Sequence, residues 1–230
     1  MVAPLRPINQ QGLGLQISDD LREQIILQKI GPNTHLAEEL VASTFGVSRG
    51  PVRDALKELE REGLVEIRKR GTFVLPFTSD DILDMYALRE AIEVLAVQLA
   101  VTRASNDEWS DFDNFLTRMN VAAQESDDEA FAAADIDFHA KFYDLSHHRR
   151  LLNVWTQYLP ILKSLVRVTV RVDDDLIATA RDHIHLLQLV RGSDHDQAEK
   201  EVRNHIRHSR DRMIRAYQQT VNDLSDLTHS

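Results

Sequence analysis

Between Leu36 and Leu75 the residue order leaves little choice of architecture. Ala37–Phe45 reads as a short helix halted at Gly46. A second helix starts at Ser48, tolerates Pro51 in its first turn and ends at Gly63. Leu64-Val65-Glu66-Ile67 and Thr72-Phe73-Val74-Leu75 then flank the basic, glycine-containing Arg68-Lys69-Arg70-Gly71, the pattern of a small β-hairpin. Upstream, a helix capped by Ser18 runs to about Lys29 and is stopped by Gly31-Pro32. Helix, helix, turn, helix, hairpin is the order of a winged helix-turn-helix.

The last helix of that series has two faces. Arg49, Arg53, Lys57 and Arg61 recur every four residues and form a basic ridge that drifts slowly round the helix. Val52, Ala55, Leu56 and Leu59 lie opposite and are expected to pack on Leu36, Leu40 and Phe45. A helix buried on one side and basic on the other suits the DNA major groove. Glu58, Glu60 and Glu62 interleave the ridge, so the spacing alone also suits a solvated surface face. The short preceding helix, the Gly46 turn and the basic hairpin tip shift the balance to DNA. Ser48, Arg49, Gly50 and Arg53 are then placed at base edges and phosphates, and Arg68–Gly71 along the backbone or minor groove.

Net charge at first argues the other way. The 230 residues carry 27 Lys and Arg against 37 Asp and Glu, a formal charge of −10, which is unfavourable for nucleic acid. The charge is not spread evenly, however. Residues 1–76 hold ten basic and ten acidic side chains, so the whole excess lies beyond them. The absence of cysteine excludes disulfides, thiolate zinc sites and cysteine nucleophiles, and fits a reducing compartment. No apolar run has the length of a membrane helix, and the N-terminal residues do not read as a signal peptide. A cytoplasmic location is expected.

With Pro4, Pro7, Gly12 and Gly14, residues 1–15 read as a flexible arm; 16–76 form the winged domain and 77–79 a linker. Beyond it the chain is helical almost throughout. Ser79–Ala104 has apolar residues at helical spacing, and Ser105-x-x-Glu108 and Ser126-x-x-Glu129 read as capping boxes that open helices. Leu151–Val172, with Pro160 as a kink, is another helix; Asp175–Arg191 and Asp194–Gln218 complete the set, leaving 219–230 as a tail. Six helices over 80–218 predict an antiparallel bundle. The fold class is therefore mainly α, a winged helix-turn-helix followed by an all-helical bundle.

Nine of the ten histidines follow residue 138. Asp135 and His139 share one helical face with Phe138 and Phe142 nearby, which points it inward. His183 and His205 have their midpoint at residue 194, at the Gly192-Ser193 turn. In an antiparallel hairpin they stand at one height, about 15 Å from it. Leu186, Leu187 and Val190 flank His183; Val202, Ser209 and Met213 flank His205. His185, His195 and His208 have no such inward position. Each inward histidine, taken singly, suits a hydrogen-bonded core residue. Three imidazoles and one carboxylate converging in a helical core also suit a divalent metal, with net site charge of about +1 and positions open to water or an anion.

The motifs resemble a known family. Leu36-Ala37-Glu38-Glu39-Leu40-Val41, Phe45-Gly46-Val47-Ser48-Arg49-Gly50-Pro51-Val52-Arg53-Asp54-Ala55-Leu56, Leu59–Val65 and Arg70–Val74 closely resemble the DNA-binding domain of the GntR superfamily. The resemblance implies operator contacts from Arg49 and Arg53, assisted by Ser48, Gly50, Arg70 and Gly71. Glu39 stands where some relatives place a DNA-contacting Arg, and Ala37 replaces the usual Ser or Thr cap, a local cost of about 1 kcal/mol. Asp135-Ile136-Asp137-Phe138-His139, Asp182-His183 and Asn204-His205 look like the FCD-type ligand domain of the FadR-like subfamily. That resemblance implies a metal, zinc or nickel, with cobalt and manganese also compatible, held by Asp135, His139, His183 and His205 beside a small carboxylate. Arg89 matches an arginine that lines this pocket; the residue-level alternative is a surface pair with Glu93 at i+4. Ser146–Leu151 departs from the family, with His148 near a usual Asn.

The resulting expectation is a repressor, not an enzyme, that binds a pseudo-palindromic operator as a homodimer and is released by a metabolite. Two other readings stand beside it: a regulator whose signal is the metal alone or whose metal is structural, and a metal-dependent hydrolase. The hydrolase lacks a marked general base and leaves the winged domain unexplained.

Overall fold

The computed structural model of the chain describes residues 10–173 and 175–228, in two units that divide between Phe77 and Thr78. The first contains α1 (Gln10–Ile26), β1 (His35–Leu36), α2 (Glu38–Phe45), α3 (Arg49–Arg61), β2 (Val65–Arg68) and β3 (Gly71–Val74). Its antiparallel sheet has the order β1-β3-β2, with Val65 opposite Val74 and Arg68 opposite Gly71. Strand β1 sets His35 against Phe73 and was not expected, because two residues show no alternation.

Helix α3 buries Val52, Ala55, Leu56 and Leu59 and packs on α1, which contributes Ile17, Leu21 and Ile25. Arg22 locks the pair. Its Nε and Nη2 donate to Glu62 at 2.6 and 2.7 Å with both side chains buried. Gly46 ends α2 in the left-handed region at φ +64, where a side chain is disfavoured. Ala37 begins α2 without a side-chain cap.

Two expectations for this unit need correction. Helix α1 begins at Gln10, not Ser18, so residues 10–15 are helical and not part of an arm; residues 1–9 lie outside the described residues. Ser18 is buried within the helix and its Oγ donates back to the Leu15 carbonyl, a local bond that mimics a cap in sequence. Leu40 does not pack beneath α3. It is 64% exposed, and Val41 and Ala42 take the inward positions of α2.

The second unit has six α-helices among its described residues: α4 (Ser79–Arg103), α5 (Asp111–Glu125), α6 (Asp128–Leu145), α7 (Arg149–Val170), α8 (Leu176–Val190) and α9 (His195–Thr228). Helix α4 packs on α6 and α9, α5 on α6 and α8, and α7 on α6 and α9. Helices α8 and α9 pack on each other across a short turn. The expected linker is already part of a helix start, since Thr78 N and Oγ both donate to Asp81 at the head of α4. Ser105 and Glu108 form the expected box, but it opens a 3-10 turn, Asn106–Ser110, ahead of α5. Ser126 does not open α6: it is the C-cap of α5, at φ +54, and Asp127 accepts from Ala130 N at the start of α6. Helix α9 extends through Thr228, so 219–228 is helix where a tail was expected. At the departure noted after Ser146, His148 caps α7 by accepting from Leu151 N at 3.1 Å.

Candidate nucleic-acid surface and metal centre

The turn between α2 and α3 presents the predicted DNA residues together. Ser48 is the N-cap of α3 and leaves its hydroxyl uncommitted to the cap; Ser48, Arg49, Gly50 and Arg53 are all exposed. Two acids of α2 hold the arginines from one side. Arg49 lies 3.2 Å from Glu39, and Arg53 Nε donates to Glu38 at 2.8 Å. These pairs stand in water, so they are weak and exchangeable. Arg68, Lys69 and Arg70 are exposed at the hairpin tip, with Arg68 paired to Glu66. Gly71 has a structural reason of its own. Its φ is +127, and a Cβ there would lie 2.1 Å from Nε2 of His35, whose ring stacks on Phe73.

In the helical unit α6, α8 and α9 bring His139, His183 and His205 together. Their ligating atoms all lie within 4.8 Å of one another and all three residues are buried. Phe138 presents an edge to His183, and Phe112 and Phe142 back it, making an apolar wall. Asp135 meets this group from one side only, its Oδ1 3.0 Å from His183 Nε2.

The ring protons can be placed from the partners. His183 Nδ1 lies 2.8 Å from the Thr179 carbonyl, which can only accept, so the proton is on Nδ1. His183 Nε2 then presents a lone pair. It is close to Asp135 but not aligned for a hydrogen bond, and is buried with no hydrogen-bond partner among the described residues. His139 Nδ1 bonds to Glu93 Oε1, another acceptor, which leaves His139 Nε2 bare 3.4 Å from Nε2 of His205. Lone pairs and one carboxylate thus converge in a largely buried core, a donor set that fits a divalent cation. Burial pushes His139 and His205 below the usual imidazole range, which keeps both as neutral ligands. For Asp135, burial opposes ionisation, yet its carboxyl is held well down by the charge around it, that of Arg89 included.

Arg89 is not a surface residue. It pairs with Glu93 as the i+4 spacing allowed, but both side chains are buried and Nε donates to Glu93 Oε2 at 3.0 Å. Burial works against ionised Glu93, yet His139 and Arg89 together lower its carboxyl to about 2. Sequence reasoning missed Glu93 as a site residue. The signal was its spacing from Arg89; its contact with His139 is 46 residues distant and has no local trace.

Two family models match this chain. Residues 13–74 match "Bacterial regulatory proteins, gntR family", and residues 84–208 match the FCD domain. The chain belongs to the GntR family and carries an FCD domain. The gluconate operon transcriptional repressor of Bacillus licheniformis is 28% identical over 74% of this chain and 70% of its own length. The transcriptional repressor RspR of Escherichia coli is 25% identical over 88% and 87%. The solved structure of E. coli McbR/YncC shares the fold, with TM-score 0.67 at 21% identity over 90% of this chain and 98% of that one. This GntR-family protein is accordingly a transcriptional regulator and not an enzyme. No helix among its described residues is long and apolar enough to cross a membrane. The regulator also has a cavity of about 190 Å³ between α4 and α9, walled by Val94, Val97, Val101, Ala198 and Val202. Gln98, Thr102, His195 and Glu199 complete a mostly apolar lining, to which no member of the histidine cluster belongs.

Proposed function

We propose that the regulator binds a pseudo-palindromic operator as a homodimer, and that its helical unit holds a divalent metal beside the site of a small carboxylate effector. Arg49 and Arg53 read base edges, Ser48 and Gly50 let the start of α3 approach the backbone, and Arg70 with Gly71 carries the wing along the duplex. His139, His183 and His205 supply three nitrogens and Asp135 an oxygen. When bound, the metal supplies a positive centre that attracts an anionic ligand. The set suits zinc best and also nickel, cobalt or manganese. Arg89 adds the fixed cation on the same side of the core. One observation carries the metal: the buried, unpartnered Nε2 of His183 facing Asp135. The gluconate operon named for one relative supports an organic acid as effector. Repression in the cytoplasm, relieved by ligand, is the direction adopted.

One observation favours a second reading, in which the metal alone is the signal: Arg89 is already neutralised by Glu93. Elemental analysis separates the possibilities at their root. Wild-type protein, stripped with chelator and reloaded, should retain about one divalent ion per chain, and His183→Ala and Asp135→Asn should retain much less. A wild type that retains none removes the metal from both readings. If metal alone leaves operator affinity unchanged and an organic acid alters it, the effector reading stands.

A further inference from the structure

We propose that Glu93 is a positioning residue of the metal centre, which holds the His139 proton on Nδ1 and so presents Nε2 as the coordinating nitrogen. This rests on the metal reading above. Glu93 and Arg89 are one turn apart on α4; His139 and Tyr143 are one turn apart on α6. All four side chains meet. Glu93 Oε1 bonds His139 Nδ1, while Oε2 accepts from Arg89 Nε at 3.0 Å and from the Tyr143 hydroxyl at 3.4 Å. His183 is oriented by a backbone carbonyl, which no side-chain change removes. His139 is oriented by a side chain. Its coordinating atom therefore depends on what stands at position 93, as expected of a carboxylate behind a metal-bound imidazole.

Arg89 makes the dependence directional. A glutamine at position 93 has one oxygen and one NH2 group. Arg89 has only donors and must take the oxygen, so the NH2 turns to His139 Nδ1. That nitrogen must then accept, the ring proton moves to Nε2, and the coordinating lone pair is lost. Replacing Arg89 as well, in Arg89→Met/Glu93→Gln, frees the amide to turn its oxygen back to His139, with Tyr143 left as a partner for the NH2. The double variant also removes the buried cation, so it does not depend on a charged core surviving.

The experiment combines imidazole nitrogen-15 spectra of the metal-free full chain with zinc titration against a competing chelator. Wild-type His139 should show its proton on Nδ1. Glu93→Gln should move it to Nε2 without changing His183, and zinc affinity should fall about 10- to 100-fold. The double variant should return the proton to Nδ1 and recover most of the affinity. A wild-type proton on Nε2 overturns the proposal, as does a double variant whose proton stays on Nε2. Wild-type affinity in a Glu93→Gln protein that has changed tautomer also overturns it, while leaving the metal reading intact. A wild type that binds no zinc in the titration defeats the metal reading itself, and with it this proposal, whichever tautomer the metal-free spectrum shows.

Discussion

In the winged unit, Arg49 and Arg53 meet Glu39 and Glu38 with more than half of each arginine side chain in solvent. In the helical unit, Arg89 meets Glu93 with both side chains almost wholly enclosed. The residue types are the same and the consequences differ. An exposed pair contributes about 0–1 kcal/mol, because water already satisfies both partners. It can be exchanged for a phosphate or a base edge at little cost. A buried pair cannot dissolve without leaving a charge in an apolar core. The winged surface is thus built for exchange of partners and the helical core for holding them, and the sequence pattern of Arg and Glu does not distinguish the two.

The contrast is broken most severely from the buried side. Arg89→Ala leaves Glu93 with His139 and Tyr143 but no countercharge, and Arg22→Ala likewise strands Glu62 between α1 and α3. Each should cost about 3–5 kcal/mol. Urea unfolding of the full chain, followed by circular dichroism, should show the loss in different transitions, since the residues belong to different units. Equal effects on one shared transition would refute the separation. Unchanged stability in either variant would show that the pair is not the enclosed contact described here.

How far this was readable in the sequence depends on how local each cause is. Gly46, Gly63 and the Arg68–Gly71 tip act through the conformation of their own segments, and the winged order followed from them. The pairing of His183 with His205 followed from symmetry about one turn. Strand β1 and the start of α1 did not follow, because His35–Leu36 has no period and Gly12 and Gly14 weaken a helix that packing on α3 restores. Glu93 failed for a further reason. Helix α4 buries residues on several sides, among them Ile82, Tyr86, Val94, Ala96 and Val97, so periodicity could not tell an inward pair from a surface one. Asp135 was placed correctly on the His139 face of α6, yet its near contact is His183. A face is local information; which neighbour occupies it is not.

On the exposed side the same kind of truncation should leave the fold alone and act on DNA. Arg53→Ala and Arg49→Ala remove exposed side chains, so stability should change by less than about 0.5 kcal/mol. Operator affinity should fall by about 1–3 kcal/mol for each, roughly fivefold to 150-fold, if the arginine reads a base. Fluorescence anisotropy with operator and with scrambled duplex makes the distinction. Loss on both duplexes assigns the arginine to phosphate contact, and no loss on either removes it from the interface.

The smallest effect is the most specific to the comparison. If Glu38 and Glu39 hold Arg53 and Arg49 only loosely, removing their charge should strengthen DNA binding without touching the fold. The pair must be broken before the arginine reaches DNA, and an exposed pair costs about 0.2–1 kcal/mol to break. Glu39→Gln should therefore raise affinity by at most about fivefold, more at low salt than at high salt, because the competing attraction is itself screened. Operator and scrambled duplex should gain by a similar factor, because the relieved charge acts on the phosphate backbone of any duplex. The specificity ratio would then hold while affinity rises. A fall in affinity for both duplexes would show instead that Glu39 orients Arg49 for binding, and that the exposed pair, like the buried one, is there to hold.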